Sequence, residues 1–323
     1  MRLIIGMMLS LFLLAFVATG VSVYLYKNTR SEQAKTIIIE PRTGTRDILA
    51  QLHREGLVPA LPLMVVPVLM TADHQSLKAG EYEFAGGMSP AQIIQKIIRG
   101  EVVIHKVTIP EGWTSYQVRE ALLKEPLLVG EVPAFAEGSL LPDTMHFRRG
   151  ETRASVIARM QKAQTELMEK LWPTRAANLP YQTPAEALIM ASIVERETGE
   201  VDERAMVAGV FVNRLRKGML LQTDPAVMYG IEQKQGGAPM MRLLSRADLN
   251  ADTPYNTYTR AGLTPTPICH PGRKAIEAAL NPATTDALYF VATGTGGHRF
   301  ATTLKEHNAN VAAYRKVMGG GRM

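Results

Sequence analysis

From Leu3 to Tyr26 the chain runs 24 residues without a charge, enough for a helix that crosses a bilayer. Tyr24 and Tyr26 beside Lys27 suit the membrane–water interface. The run exceeds a signal-peptide core and no small-x-small cleavage site follows it, so a retained single-pass anchor is expected. Orientation stays open, because Arg2 is outnumbered by Lys27, Arg30 and Lys35. After a polar linker the pattern shortens and alternates. Strands are predicted over 35–40, 78–84 and 102–109, and a helix over 45–55. A second helix, 93–98, follows the capping box Ser89–Gln92 and stops at Gly100. Residues 57–70 are apolar but broken by three prolines, and read as core or as a membrane-proximal patch.

Beyond Pro110 helical spacing dominates, over 114–123, 152–172, 202–217 and 272–280. Asp224 reads as the cap of a helix that begins at Pro225, and residues 245–248 as a capped turn. Two short strands, 288–292 and 298–301, flank a glycine-rich turn as a hairpin, and Thr303 to Glu306 caps a last helix. The fold class is α+β: an apolar N-terminal helix, a small α+β module, and a mainly helical domain ending in a hairpin. Expected boundaries are 1–30, 31–108 and 109–323.

The most informative helix opens at Thr183, where Thr183 and Glu186 form a capping box around Pro184. Residues 187–194, apolar but for Ser192, present side chains on nearly every side, so the helix is expected to be buried. Glu195 shares a side with Leu188, Ala191 and Ser192. Desolvation raises a carboxyl pKa, and a carboxyl that keeps its proton near neutrality can serve as a general acid. The competing reading pairs Glu195 with an arginine or lets it reach solvent at the helix end. Glu197, two residues on, points to nearly the opposite side, so the two acids cannot flank one bond.

Composition narrows the chemistry. A net charge of +6 suits anionic lipid or an anionic polymer, but no aromatic-interleaved basic stripe argues for nucleic acid. The single cysteine, Cys269, excludes an intramolecular disulfide and lacks an identifiable partner base. The seven histidines show no zinc-ligand spacing, and no glycine-rich phosphate loop opens a helix, so no metal or cofactor is expected. Acid chemistry remains. A two-carboxylate glycosidase would need a second acid, for which Asp224 is the nearest candidate. The run 254–259 has the composition of a sugar-binding wall and equally of an ordinary loop.

Ordered motifs along most of the chain resemble those of the endolytic murein transglycosylase, or YceG-like, family. They include Ile109-Pro110-Glu111-Gly112, Glu137-Gly138-Ser139-Leu140-Leu141-Pro142-Asp143-Thr144, Ala191 to Thr198, and Val210 to Leu215. Leu221 to Pro225, Leu244 to Leu249, Tyr255 to Tyr258 and Gly296 to Phe300 continue them. Met145 departs from the aromatic that the family more often carries there. The resemblance implies an inner-membrane helix, a LysM-like module, and a catalytic domain outside the cytoplasm with Glu195 as the catalytic glutamate. It implies lytic cleavage of the MurNAc-β-1,4-GlcNAc bond within nascent strands, leaving 1,6-anhydro ends and limiting strand elongation. Peptidoglycan strands and the membrane are the expected partners, with peptidoglycan synthases as further candidates. Asn213, Gln222, Asp224, Tyr255, Asn256 and Tyr258 are candidate sugar contacts. A hydrolytic muramidase using Asp224 and a non-catalytic wall-binding scaffold are the alternatives.

Overall fold

A computed structural model describes residues 2–71 and 77–319. The chain divides into two compact units: residues 1–105 with 146–150, and residues 106–145 with 151–323.

The first unit begins with helix α1 (Arg2–Asn28), of which Ile4–Asn28 is long and apolar enough to cross a membrane, with a mean hydropathy of 2.4. Leucines, phenylalanines and methionines along it are exposed. Its last turns are not: Ser22 and Tyr26 are buried, and the Ser22 hydroxyl donates to the Leu63 carbonyl at 2.5 Å. The end of α1 thus packs into the module that follows it. Strand β1 (Lys35–Ile39), α2 (Thr45–Arg54), α3 (Val65–Thr71), β2 (Gly80–Phe84) and α4 (Pro90–Arg99) complete the unit's main elements. β1 and β2 pair antiparallel from Lys35↔Phe84 to Ile39↔Gly80. Alternation turns Ile37, Ile39, Tyr82 and Phe84 inward, onto Ile48, Leu49 and Leu52 of α2 and the isoleucines of α4. The Ser89–Gln92 capping box forms, and Gly100 closes α4 in the left-handed conformation. The proline-broken stretch contains a 3₁₀ turn at Leu61–Leu63 and then α3, two elements its composition did not announce. Part of it, residues 69–70, lies beyond the described side chains.

The remaining elements are β3 (His105–Thr108), α5 (Ser115–Lys124), β4 (Thr144–Phe147), α6 (Arg153–Leu171), α7 (Pro184–Glu197), α8 (Arg204–Arg216), α9 (Asp224–Lys234), α10 (Arg246–Asn250), α11 (Arg273–Leu280), β5 (Tyr289–Ala292), β6 (His298–Ala301) and α12 (Leu304–Gly319). β3 pairs with β4, which the sequence pattern did not predict, and β5 with β6. In the second unit α7 is the central helix, packed against α8 and α11. Ala187, Ile189, Met190, Ala191, Ile193 and Val194 are all buried, as a helix without a polar face requires. The capping box at Thr183 and Glu186 forms as expected. α8 approaches closely at Gly209, where a β-carbon would stand 2.6 Å from the Ala283 carbonyl oxygen. That approach brings the segment before β5 onto α8.

Candidate active site

The last turn of α7 carries Glu195 and Glu197, and their surroundings differ. Glu195 is enclosed. Its Oε1 accepts from Arg204 Nη2 at 2.7 Å and its Oε2 from the Gly272 N–H at 2.8 Å. Its side chain is 4 % exposed and that of Arg204 7 %. The turn at Gly112 closes over it, and a β-carbon there would sit 3.6 Å from Glu195 Cγ. Arg204 also reaches Glu111 at 3.4 Å. Burial raises the Glu195 carboxyl above its ordinary value, against the pull of the Gly272 N–H and Arg204. Both oxygens already have strong donors.

Glu197 faces another group of residues. Burial pushes its carboxyl up to about 7. The Thr223 hydroxyl, His298 and Arg214 pull the other way, while the charge of Asp224 adds to the rise. These partners come from three elements. Arg214 lies on α8, where its guanidinium donates to the carbonyls of Leu288 at 2.7 Å and Leu221 at 2.8 Å. His298 opens β6 and is held by Glu203, which accepts from its backbone N–H at 2.8 Å and lies 2.7 Å from its Nδ1. Thr223 and Asp224 begin α9. Asp224 is the first helical residue and Thr223 the N-cap position, so the expected capping role of Asp224 is corrected. Tyr258 donates its hydroxyl to Asp224 Oδ1 at 2.5 Å, and burial together with that carboxylate raises the phenol's pKa.

The six proposed sugar contacts separate accordingly. Asp224 and Tyr258 stand at Glu197. Gln222 is exposed, holds a positive φ of 51°, and donates its backbone N–H to the Thr257 carbonyl at 3.1 Å. That bond and the mutual Thr223–Thr257 pair tie the start of α9 to the 256–258 loop and so bring Asp224 and Tyr258 together. Asn256 is 0 % exposed. Its amide donates to the carbonyls of Asp248, Leu249 and Ala251 and accepts from the Tyr258 N–H, so it shapes the loop and cannot meet a ligand. Asn213 likewise spends its amide on the carbonyls of Thr285 and Ala287. Tyr255 lies apart, its hydroxyl sharing a hydrogen bond with Thr266 and its ring edge-on to Tyr229. The sequence analysis weighed Glu197 only as a partner acid for Glu195, and carried Thr223, Arg214 and His298 only within the family motifs, without a site role. Only the short distance from Glu197 to the end of a buried helix pointed toward it.

Among the described residues no group of three or more His, Cys, Asp or Glu side chains is placed to hold a metal ion. Cys269 is buried, and burial holds its thiol well above the usual range, so it is not an activated nucleophile.

The buried central helix α7 thus ends in a carboxyl that burial raises toward neutrality, surrounded by side chains of α8, the start of α9, the 256–258 loop and β6. The model of the YceG-like family matches residues 37–313, and the chain belongs to that family. It is 34 % identical over 263 residues to a Bacillus subtilis protein named endolytic murein transglycosylase, covering 72 % of this chain and 71 % of that one. It is 29 % identical over 332 residues to a Streptococcus pneumoniae protein of the same name. There it covers 89 % of this chain but spans only 59 % of the relative's length. The crystal structure of a YceG-like protein from Listeria monocytogenes is similar, with a TM-score of 0.51, 31 % identity, and coverage of 86 % of this chain and 99 % of that one.

Proposed function

We propose that this protein is a membrane-anchored endolytic peptidoglycan lytic transglycosylase in which Glu197, rather than Glu195, is the general acid and base. The names of its relatives support the reaction class. What carries the residue assignment is the group gathered around Glu197, with Asp224 held by Tyr258 and with Arg214 and His298 facing it, where burial raises the carboxyl to about 7. A carboxyl with that affinity holds its proton on a substantial fraction of molecules at neutral pH. It gives the proton to the glycosidic oxygen as the C1–O bond breaks. The muramyl 6-hydroxyl then forms the new bond to C1, and its proton returns to the Glu197 carboxylate. No water is activated, so one carboxyl suffices. Asp224, held by Tyr258, favours the protonated form of Glu197, while Arg214 and His298 favour the carboxylate that forms as the proton leaves. Glu195 takes the other role weighed for it, pairing with Arg204 and fixing the last turn of α7.

Asp224 beside Glu197 also permits a hydrolytic reading with two carboxylates. Mass analysis of digests of purified glycan strands separates them. The lytic reading expects 1,6-anhydro ends, lighter by one water than the reducing ends that hydrolysis leaves. Exclusive reducing ends would replace it with a muramidase. A folded, strand-binding protein without cleavage would make it a scaffold.

Residues 31–108 fit a LysM-like wall-binding module and 109–323 the catalytic domain, acting on nascent strands in the periplasm with peptidoglycan synthases as partners. α1 supports the anchoring. A reporter fused after Met323 is expected to be active only outside the cytoplasm. Activity confined to the cytoplasm would overturn both the topology and the substrate.

A further inference from the structure

The second unit has a cavity that this mechanism does not use. It measures about 340 Å³ and is walled by Ser115, Tyr116 and Arg119 of α5, Phe135 and Glu137 of the following loop, and Tyr229 and Gln233 of α9. Glu137 forms part of its wall with a side chain 7 % exposed. The carboxylate accepts from the Ser115 N–H at 2.9 Å and from the Tyr229 hydroxyl at 3.2 Å. Burial raises it to about 7. The neighbouring Ser115 and His270 are not a nucleophile and its base. His270 Nδ1 accepts the Leu140 N–H at 3.2 Å, so the ring proton sits on Nε2, which donates to Ser115 Oγ at 3.1 Å. Burial depresses His270 to about 3, so the ring stays neutral and has no lone pair left for the serine proton.

Ser115 and His270 are therefore not set up to react, and Glu137 is taken up by the Ser115 N–H and the Tyr229 hydroxyl. Tyr116, Phe135 and Tyr229 offer ring faces and edges, and Tyr116 lies against Gly237, whose φ is +92° and where a β-carbon would meet that ring at 3.0 Å. Arg119 disfavours a cation and Glu137 an anion. A neutral ligand with an apolar face and several hydroxyl or amide groups satisfies both, and a sugar ring is of that kind. The cavity also shares α9 with the Glu197 site: Asp224 opens the helix and Gln233 stands nine residues on, about 13 Å along its axis.

We propose that this cavity is a distal saccharide subsite, which holds a sugar ring of the same glycan strand several rings from the bond cleaved at Glu197. This deepens, and rests on, the transglycosylase reading. A strand held at both places is engaged along its length, so the subsite favours long strands over short ones.

The test compares full-length wild-type protein with Tyr116→Ala and Phe135→Ala, both at half-buried positions outside the Glu197 site. The substrates are purified uncrosslinked glycan strands and the shortest oligosaccharide that is cleaved. Losing a ring contact is expected to reduce kcat/KM on long strands by about tenfold and leave the shortest substrate unchanged. Equal loss on both, or no loss on either, would overturn the subsite. Co-sedimentation of the same strands with Glu197→Gln, alone and combined with Tyr116→Ala, reads binding without relying on turnover. Weaker binding only in the combined variant supports the subsite, and equal binding removes it. Residual cleavage by Glu197→Gln would remove the acid assignment instead, while leaving the length comparison readable.

Discussion

Glu197→Gln should lower glycan-strand cleavage by at least ~10²-fold, the low end of a general acid–base contribution, while the protein stays folded and still binds strands. Gln keeps the shape of Glu but can neither give nor retrieve a proton. The loss should be in kcat rather than KM, because the carboxyl acts on the transition state. Its neighbours argue that the variant will fold. Burial works against the charged form of Glu197, so a neutral amide costs less to desolvate there than the carboxylate does. Initial rates on purified strands, with circular dichroism and strand co-sedimentation on the same samples, check this. A folded Glu197→Gln protein with near-wild-type turnover would remove the assignment.

Glu195→Ala should instead act on stability. It strips the carboxylate from a buried pair and leaves the Arg204 guanidinium, 7 % exposed, with only the more distant Glu111. Breaking a buried pair by removing one partner costs about 3–5 kcal/mol, and Glu111 at 3.4 Å places the expectation at the lower end. The Gly272 N–H also loses its acceptor, which adds to the loss. For a unit of this size, about 3 kcal/mol corresponds to a fall in Tm of roughly 6–12 °C, measurable by a thermal melt. Assayed well below that melt, the variant should still cleave strands. A protein of unchanged Tm that has lost all cleavage would exchange the roles of the two glutamates.

How far the two glutamates could be told apart from sequence depends on the range of the forces involved. Local signals were legible. The capping boxes at Ser89 and Thr183, the apolar sides of α7, the alternation of β1 and β2 and the hairpin turn all follow from neighbours within a few residues. Glu195 was singled out correctly as a buried acid, but its partner is set by tertiary structure. Arg204 opens the next helix and Gly272 lies far along the chain. The same limit hid the group around Glu197, whose members come from α8, the start of α9, the 256–258 loop and β6. Spacing along α7 rightly separated the two carboxylates but could not say which side had an open partner. Asn213 and Asn256 show the converse. Each has the composition of a sugar contact, yet buried carbonyls take up both amides. α3 and β4 escaped because a proline-broken run and a four-residue strand carry little periodicity.

In the proposed mechanism one carboxyl, Glu197, holds and returns the proton. This is tested most directly by titrating that carboxyl in the folded full-length protein, using isotope-edited carboxyl resonances assigned by their loss in Glu197→Gln, beside the pH profile of kcat/KM. Glu197 should titrate near 7, well above an ordinary glutamate's 4.5. Because the protonated form starts the reaction, kcat/KM should fall as pH rises through that same value. A Glu197 that titrates near 4.5 while the alkaline limb stays near 7 would assign the proton to another group and contradict the account.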